Sequence, residues 1–180
     1  MRERRHTAAR ALGPTRRQVI LGVAATSLSV SATAWGRAPQ SNAEPPSTGA
    51  DKLRTSLHQE IDLPADPHRI YAALLDSKQF AAFSGAPATI DPRPGGAFSI
   101  FGGQVTGRNV ELMPHERIVQ AWRPGSWPPG VYSIVKFEFK AQGAGTKVTL
   151  DQTGFPGGKF AGLDSGWHEH YWEPLKKYFA

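Results

Sequence analysis

The sequence predicts an α+β domain in which a curved antiparallel sheet of about six or seven strands wraps round one long C-terminal helix. Three observations carry this. Residues 88–153 fall into short, loosely alternating segments separated by Pro-Gly-Gly, Gly-Gly, Pro-His and Gly-Ala-Gly. Leu163, Trp167, Tyr171, Leu175 and Tyr178 recur at helical spacing. Only one long helix is available to cover the sheet's apolar face, so the sheet must curl round it, as a grip.

The elements follow in order. Arg54–Leu63 alternates loosely and is closed by Pro64, which predicts a first strand. Asp66 and Pro67 form an N-cap followed by a proline at the first helical position. Ile70, Leu74 and Leu75 then give Pro67–Asp76 one apolar face, and Lys78–Phe83 extends this helix by a turn or two before Ser84-Gly85 stops it. Strands are predicted over Ala88–Asp91, Ala97–Phe101, Gln104–Met113, Arg117–Arg123, Val131–Gln142 and Thr146–Thr153. Within Val131–Lys140 the set Val131, Ser133, Val135, Phe137 and Phe139 should face inward, and the residues between them mostly outward. A helix is predicted over Asp164–Phe179, with a kink or bulge near His170. There Pro174 removes a backbone donor and clashes with the carbonyl four residues back.

Charge and composition narrow the functional classes. Of 180 residues, 39% are hydrophobic and 20% charged, enough for one domain with an appendage. The formal charge of +6 lies almost entirely in residues 1–34, which hold six Arg and one acid, so the remainder is nearly neutral. A neutral body has no basic stripe for nucleic acid. The absence of Cys removes thiolate nucleophiles and zinc-thiolate or iron–sulfur sites.

The front reads as an export signal. Residues 1–17 are Arg-rich, residues 18–34 are uncharged, and Ala32-Thr33-Ala34 has the small-x-small form that signal peptidase accepts. Thr15-Arg16-Arg17-Gln18-Val19-Ile20-Leu21 is similar to the twin-arginine motif, with Arg16 and Arg17 as the pair and Val19 at the usual aromatic position. The expected partners are therefore the twin-arginine machinery and signal peptidase, with a mature form that does not span the membrane and lies in the periplasm or outside the cell. Residues 35–52 have few large apolar side chains and read as a tether, so the domain is assigned to residues 53–180.

Several segments together are recognisable: Gly95-Gly96-Ala97-Phe98, Gly103–Gly107, Pro114–Arg123, Ser126-Trp127-Pro128-Pro129-Gly130 and Gly166–Phe179. They resemble the C-terminal domain of the activator of heat-shock protein 90 ATPase, over residues 56–180. The resemblance implies the START-like, or SRPBCC, helix-grip fold. In that superfamily the space between sheet and C-terminal helix commonly holds an apolar ligand such as a lipid, sterol or polyketide, and some members are cyclases or hydrolases. The eukaryotic co-chaperone has a separate N-terminal domain for chaperone docking, whereas residues 1–51 here read as signal and tether.

No catalytic constellation is read. His168 and His170 lie about 200° apart on a helix and cannot chelate one metal, while His58, His68 and His115 are dispersed in the sequence. Gly95-Gly96 and Gly102-Gly103 read as hairpin turns, not phosphate cradles, and Glu173 with Lys177 as an i,i+4 surface pair. No metal or cofactor is expected. Candidate cavity-lining residues are Phe98, Ile118, Gln120, Trp122, Val135, Phe137, Leu150, Gln152, Trp167 and Tyr171. An inward Gln needs a partner, either a water or a ligand head group, because an unpaired buried amide costs on the order of 1–3 kcal/mol.

Trp127, in a rigid Pro-rich loop, is either a cap on the sheet or an exposed contact, and with Trp172 and Lys176 it is the candidate partner-docking set. Three functional classes follow. The first is an exported carrier of a small apolar or amphipathic ligand, without catalysis of its own. The second is an interaction module of the chaperone-activator type, and the third a cyclase- or hydrolase-like enzyme.

Overall fold

The computed structural model describes residues 49–180, so Arg16, Arg17, Ala32 and Ala34 of the expected signal lie outside the described residues. Alternating side chains form seven strands: β1 (Ser56–Leu63), β2 (Thr89–Ile90), β3 (Ala97–Ile100), β4 (Val105–Met113), β5 (Arg117–Pro124), β6 (Ser133–Gln142) and β7 (Gly145–Thr153). They pair antiparallel throughout in the order β1-β7-β6-β5-β4-β3-β2, which places the first strand beside the last. In β6, Ser133, Val135, Phe137 and Phe139 are buried while Ile134 and Lys140 are exposed, the alternation that the sequence predicts.

Between β1 and β2 lie two helices where one extended helix was expected. α1 (Pro67–Leu75) starts at Asp66, whose carboxylate accepts from Arg69 N at 3.0 Å. Asp76 ends it with an extended backbone and caps α2 (Ser77–Ser84), accepting from Lys78 N at 3.0 Å and Gln79 N at 2.9 Å. A carboxylate that takes two N–H groups at a fresh helix start stabilises the break by about 1 kcal/mol. Gly85, in the left-handed region at φ 71°, closes α2.

The C-terminal helix begins earlier than expected and is built in three pieces: α3 (Phe160–Trp167), a π turn (His168–Trp172) and α4 (Glu173–Phe179). The bulge centres on His170, where Pro174 cannot complete the i→i−4 ladder. The wider turn admits an extra residue, so neighbouring Tyr171 and Trp172 both face the sheet. Beyond it the buried position moves from Tyr178, 38% exposed, to Phe179, 7% exposed. The repeat at Leu163, Trp167, Tyr171 and Leu175 thus continues one residue later than a straight helix would take it.

The core lies between this helix, α1, α2 and the concave face of the sheet. The opposite face carries ion pairs over five strands, β1, β7, β6, β5 and β4. His58 meets Asp151 at 2.7 Å, Lys136 meets Asp151 at 3.1 Å and Glu138 at 3.0 Å, and Arg117 meets Glu111 at 3.0 Å. No helix of the described residues is long and apolar enough to cross a membrane.

Within this ladder the Asp151 carboxyl is held below the usual range; burial opposes the shift, but the hydrogen bonds from His58 and Lys136 prevail. A depressed carboxylate stabilises the fold above its unfolded pKa, and the contribution fades as pH falls through the native value. Asp151→Asn is therefore expected to flatten the decline in urea stability below about pH 4, while changing stability at pH 7 by at most about 1 kcal/mol.

Candidate ligand-binding cleft

Under α3 and the π turn the helix does not seal the sheet. A half-open cleft of about 710 Å³ remains, bounded by Trp167, His170 and Tyr171 of the helix, by Phe101, by Trp122 of β5 and by the loop Pro124–Ser126. The volume is in the range of small-molecule sites. Gly166 faces it on the helix side, where an added Cβ would meet only His170 Cδ2, at 3.9 Å.

Phe101 was expected to end strand β3. Instead it turns into the left-handed region at φ 52° and opens a 3-10 turn (Phe101–Gly103). A non-glycine residue accepts that backbone at a cost of order 1 kcal/mol, held by its surroundings. Here the turn sets the ring edge-on to Phe80 at 5.3 Å and to Tyr171 at 5.5 Å, forming one cleft wall. Sequence reasoning missed Phe101 because alternation cannot foresee a left-handed phenylalanine.

The ten expected cavity residues do not enclose one space. Trp122, Trp167 and Tyr171 line the cleft. Phe98, Gln120 and Phe137, again with Tyr171, line a separate void of about 10 Å³ deeper in the core. Ile118, Val135, Leu150 and Gln152 line neither and are packed between helix and sheet, all buried.

Both inward glutamines find protein partners. Gln120 Nε2 donates to Asn109 Oδ1 at 2.9 Å, and Asn109 Nδ2 donates to the Asp91 carbonyl at 2.8 Å. Gln152 Oε1 accepts from Trp167 Nε1 at 2.8 Å, while its Nε2 donates to Ser133 Oγ at 2.9 Å. A third glutamine, Gln59 of β1, accepts from Trp172 Nε1 and donates to Asp164 Oδ1 at 2.7 Å. The only sequence signal for Gln59 was its place on a strand of alternating character.

The proposed docking tryptophans are both buried. Trp127 is 4% exposed and sets its ring edge-on to Trp122 at 6.3 Å, the sheet-cap arrangement. Arg123 locks that loop by donating from Nη2 to the Trp127 carbonyl at 2.8 Å. Trp172 is 1% exposed, because the π turn rotates it inward onto Gln59. Lys176 stays on the surface and pairs with Glu173 at 3.0 Å, in place of the expected Glu173–Lys177 pair. Nor are the histidines all dispersed: His68 of α1 and His115 of the β4–β5 turn lie with ring centroids 4.7 Å apart. Among the described residues no three His, Asp or Glu converge to hold a metal ion.

No Asp, Glu, Lys or Arg lines the cleft, whose polar groups are Ser84, Gln104, Ser126, His170, the Tyr171 phenol and the Trp122 indole. Burial pushes the Tyr171 phenol up, the neighbouring Trp122 indole acting in the opposite direction. The Trp122 Nε1 is itself buried beside that phenol.

A seven-stranded antiparallel sheet gripping a C-terminal helix, with a cleft lined by no Asp, Glu, Lys or Arg beneath that helix, defines an SRPBCC-like helix-grip domain. The chain belongs to the family described as activator of Hsp90 ATPase homolog 1-like protein, whose profile matches residues 64–180. An uncharacterised protein of Schizosaccharomyces pombe is 33% identical over 140 residues, 74% of this chain and 42% of that protein. The human activator of 90 kDa heat shock protein ATPase homolog 1 is 30% identical over 114 residues, 63% of this chain and 34% of that protein. The chain thus spans well under half the length of these two relatives.

Among solved structures, an HSP90 activator from Plasmodium falciparum superposes with a TM-score of 0.62 at 26% identity, covering 66% of this chain and 91% of that one. CalU16 from Micromonospora echinospora gives 0.60 at 19% identity, covering 69% and 76%, a likeness of fold.

Gln152→Leu leaves the Trp167 indole without a partner in the core and takes one of two from the Ser133 hydroxyl, which still donates to the Trp122 carbonyl at 3.3 Å. Urea denaturation is expected to show a loss of about 1–3 kcal/mol, more than for Gln120→Leu, whose partner Asn109 keeps its bond to Asp91.

Proposed function

We propose that the protein is an exported, non-catalytic carrier or sensor of a small apolar or amphipathic molecule, taken into the cleft between the C-terminal helix and the sheet. The observation that carries the reading is the cleft itself: about 710 Å³, half-open, aromatic-walled and lined by no Asp, Glu, Lys or Arg. Such a space favours transfer of apolar surface from water by roughly 25 cal/mol per Å² buried. A few polar groups among the walls orient a ligand without demanding an ion. The segments assigned to export are residues 1–34, whose Arg-rich start, uncharged run and Ala32-Thr33-Ala34 supply the three parts of a signal.

The variant that tests the cleft is Gly166→Leu. A leucine grows into open space there, and losing a helical glycine stabilises the helix by about 0.5–1 kcal/mol. The wild-type protein is expected to take up Nile red with a blue-shifted, enhanced emission, and the variant to lose that uptake while its melting temperature holds or rises. Uptake that survives in the folded variant places the dye elsewhere and removes the case for the cleft.

A second reading follows from the relatives' names: a docking module that stimulates an Hsp90-type ATPase. It gains the weight if wild-type protein takes up no dye and raises the ATPase rate of such a chaperone. For localisation, the intact mass of the protein recovered from its native cells is expected to correspond to a chain starting at residue 35, in the exported fraction. A mass starting at Met1 overturns cleavage.

A further inference from the structure

Away from the cleft, the fold brings two histidines together on the surface. His68 stands in the first turn of α1 and His115 in the turn between β4 and β5, and their ring centroids lie 4.7 Å apart with the planes inclined at 46°. Both residues are exposed. Among the described residues neither ring makes a hydrogen bond or an ion pair, in contrast to His58, whose Nδ1 lies 2.7 Å from Asp151 Oδ1. The ring nitrogens of the pair are therefore open to a ligand from solvent.

The backbone brings them together against its own preference. His115 adopts the left-handed conformation at φ 65°, which glycine accepts without the clash of a Cβ. Tyr71, one turn along α1 from His68, packs its ring edge-on against His115 at 5.4 Å and against Phe139 of β6 at 6.1 Å. His115 is thus held between Tyr71 and His68, where a residue of an exposed turn would otherwise swing freely.

The separation of the rings is the one that a shared metal ion requires. An imidazole nitrogen binds a zinc-like ion at about 2.0–2.1 Å, which puts the ion roughly 3.2 Å from the ring centre, so two rings set between a right angle and a tetrahedral angle have centres about 4.5–5.2 Å apart. The donor set selects the ion. Neutral imidazole suits Cu(II), Ni(II) and Zn(II), whereas Ca(II) and Mg(II) take oxygen ligands. No third His, Asp or Glu converges on the pair, so the remaining coordination positions stay with water and the ion exchanges.

We propose that His68 and His115 form a two-ligand, exchangeable site for a late first-row divalent metal ion, Cu(II) bound most tightly and Zn(II) more weakly, which clasps the start of α1 to the β4–β5 turn. The site is independent of the small-molecule reading of the cleft.

The test titrates the full chain calorimetrically with zinc chloride alone, and in a second series with copper(II) chloride, near neutral pH in a non-chelating buffer. Two linked ligands bind far more tightly than either alone, so the dissociation constant is expected to rise about tenfold or more in His68→Gln and in His115→Gly. Glycine suits the left-handed backbone, which keeps the second variant folded. His58→Gln and His168→Gln are expected to leave the constant unchanged.

An ion that bridges two elements binds the folded chain alone, whereas an isolated histidine binds it equally well unfolded. Zinc is therefore also expected to raise the urea midpoint of the wild-type protein, a shift that both pair variants lose. An affinity that survives in either pair variant, or binding without a shift of the midpoint, shows separate histidines each holding an adventitious ion only and overturns the site. Absence of binding to the wild-type protein overturns it equally.

Discussion

Two buried glutamine–tryptophan hydrogen bonds fix where the C-terminal helix lies, and the cleft is a consequence of that placement. Gln59 and Gln152 stand on the adjacent strands β1 and β7, and each receives an indole from the helix, Trp172 and Trp167. Hydrophobic packing alone is non-directional and would tolerate sliding or rotation of a broad aromatic face. A buried donor that must find one particular oxygen does not, since each slip would strand an indole N–H and an amide together. The helix is thereby tied to the β1 side of the sheet. The far side, toward β3 and β4, is left to be covered by turns, and there the cleft opens.

The π turn makes that arrangement compatible with a single helix. Trp167 and Trp172 are five residues apart, a separation that an unbroken α-helix would spread over different faces. One widened turn brings both onto the sheet with Tyr171 between them, and their rings stack at 6.0 Å. The proline at position 174 makes the widened turn cheap, because the hydrogen bond that a regular helix would form there is already lost.

Much of this was legible in the sequence. The strands were readable because a half-buried sheet imposes a period of two, and the bulge because proline's missing donor is a local property. What resisted was everything that depends on a partner far along the chain. Gln59 needs Trp172, 113 residues away, and Gln120 needs Asn109 across a hairpin. The inward turn of Trp172 needs the extra residue of the bulge, and the burial of Trp127 needs the face of Trp122. Alternation could list which side chains point inward, but not which of them meet and which leave space. Phe98, Gln120 and Phe137 therefore border a void separate from the cleft, and four of the expected lining residues are simply packed.

The cleft's two halves answer to different parts of the molecule. Its floor, Trp122, Trp167 and Tyr171, belongs to the same core that holds the helix, whereas much of its rim is made of element ends and short connections: Ser84 and Ala86 where α2 ends, Phe101 and Gln104 between β3 and β4, and Pro124 to Ser126 where β5 ends. Changes in those connections alter the depth and outline of the opening without disturbing the glutamine bonds beneath. A scaffold divided in this way can diversify what it recognises at little cost to its stability, since selection on the one acts on residues that contribute little to the other.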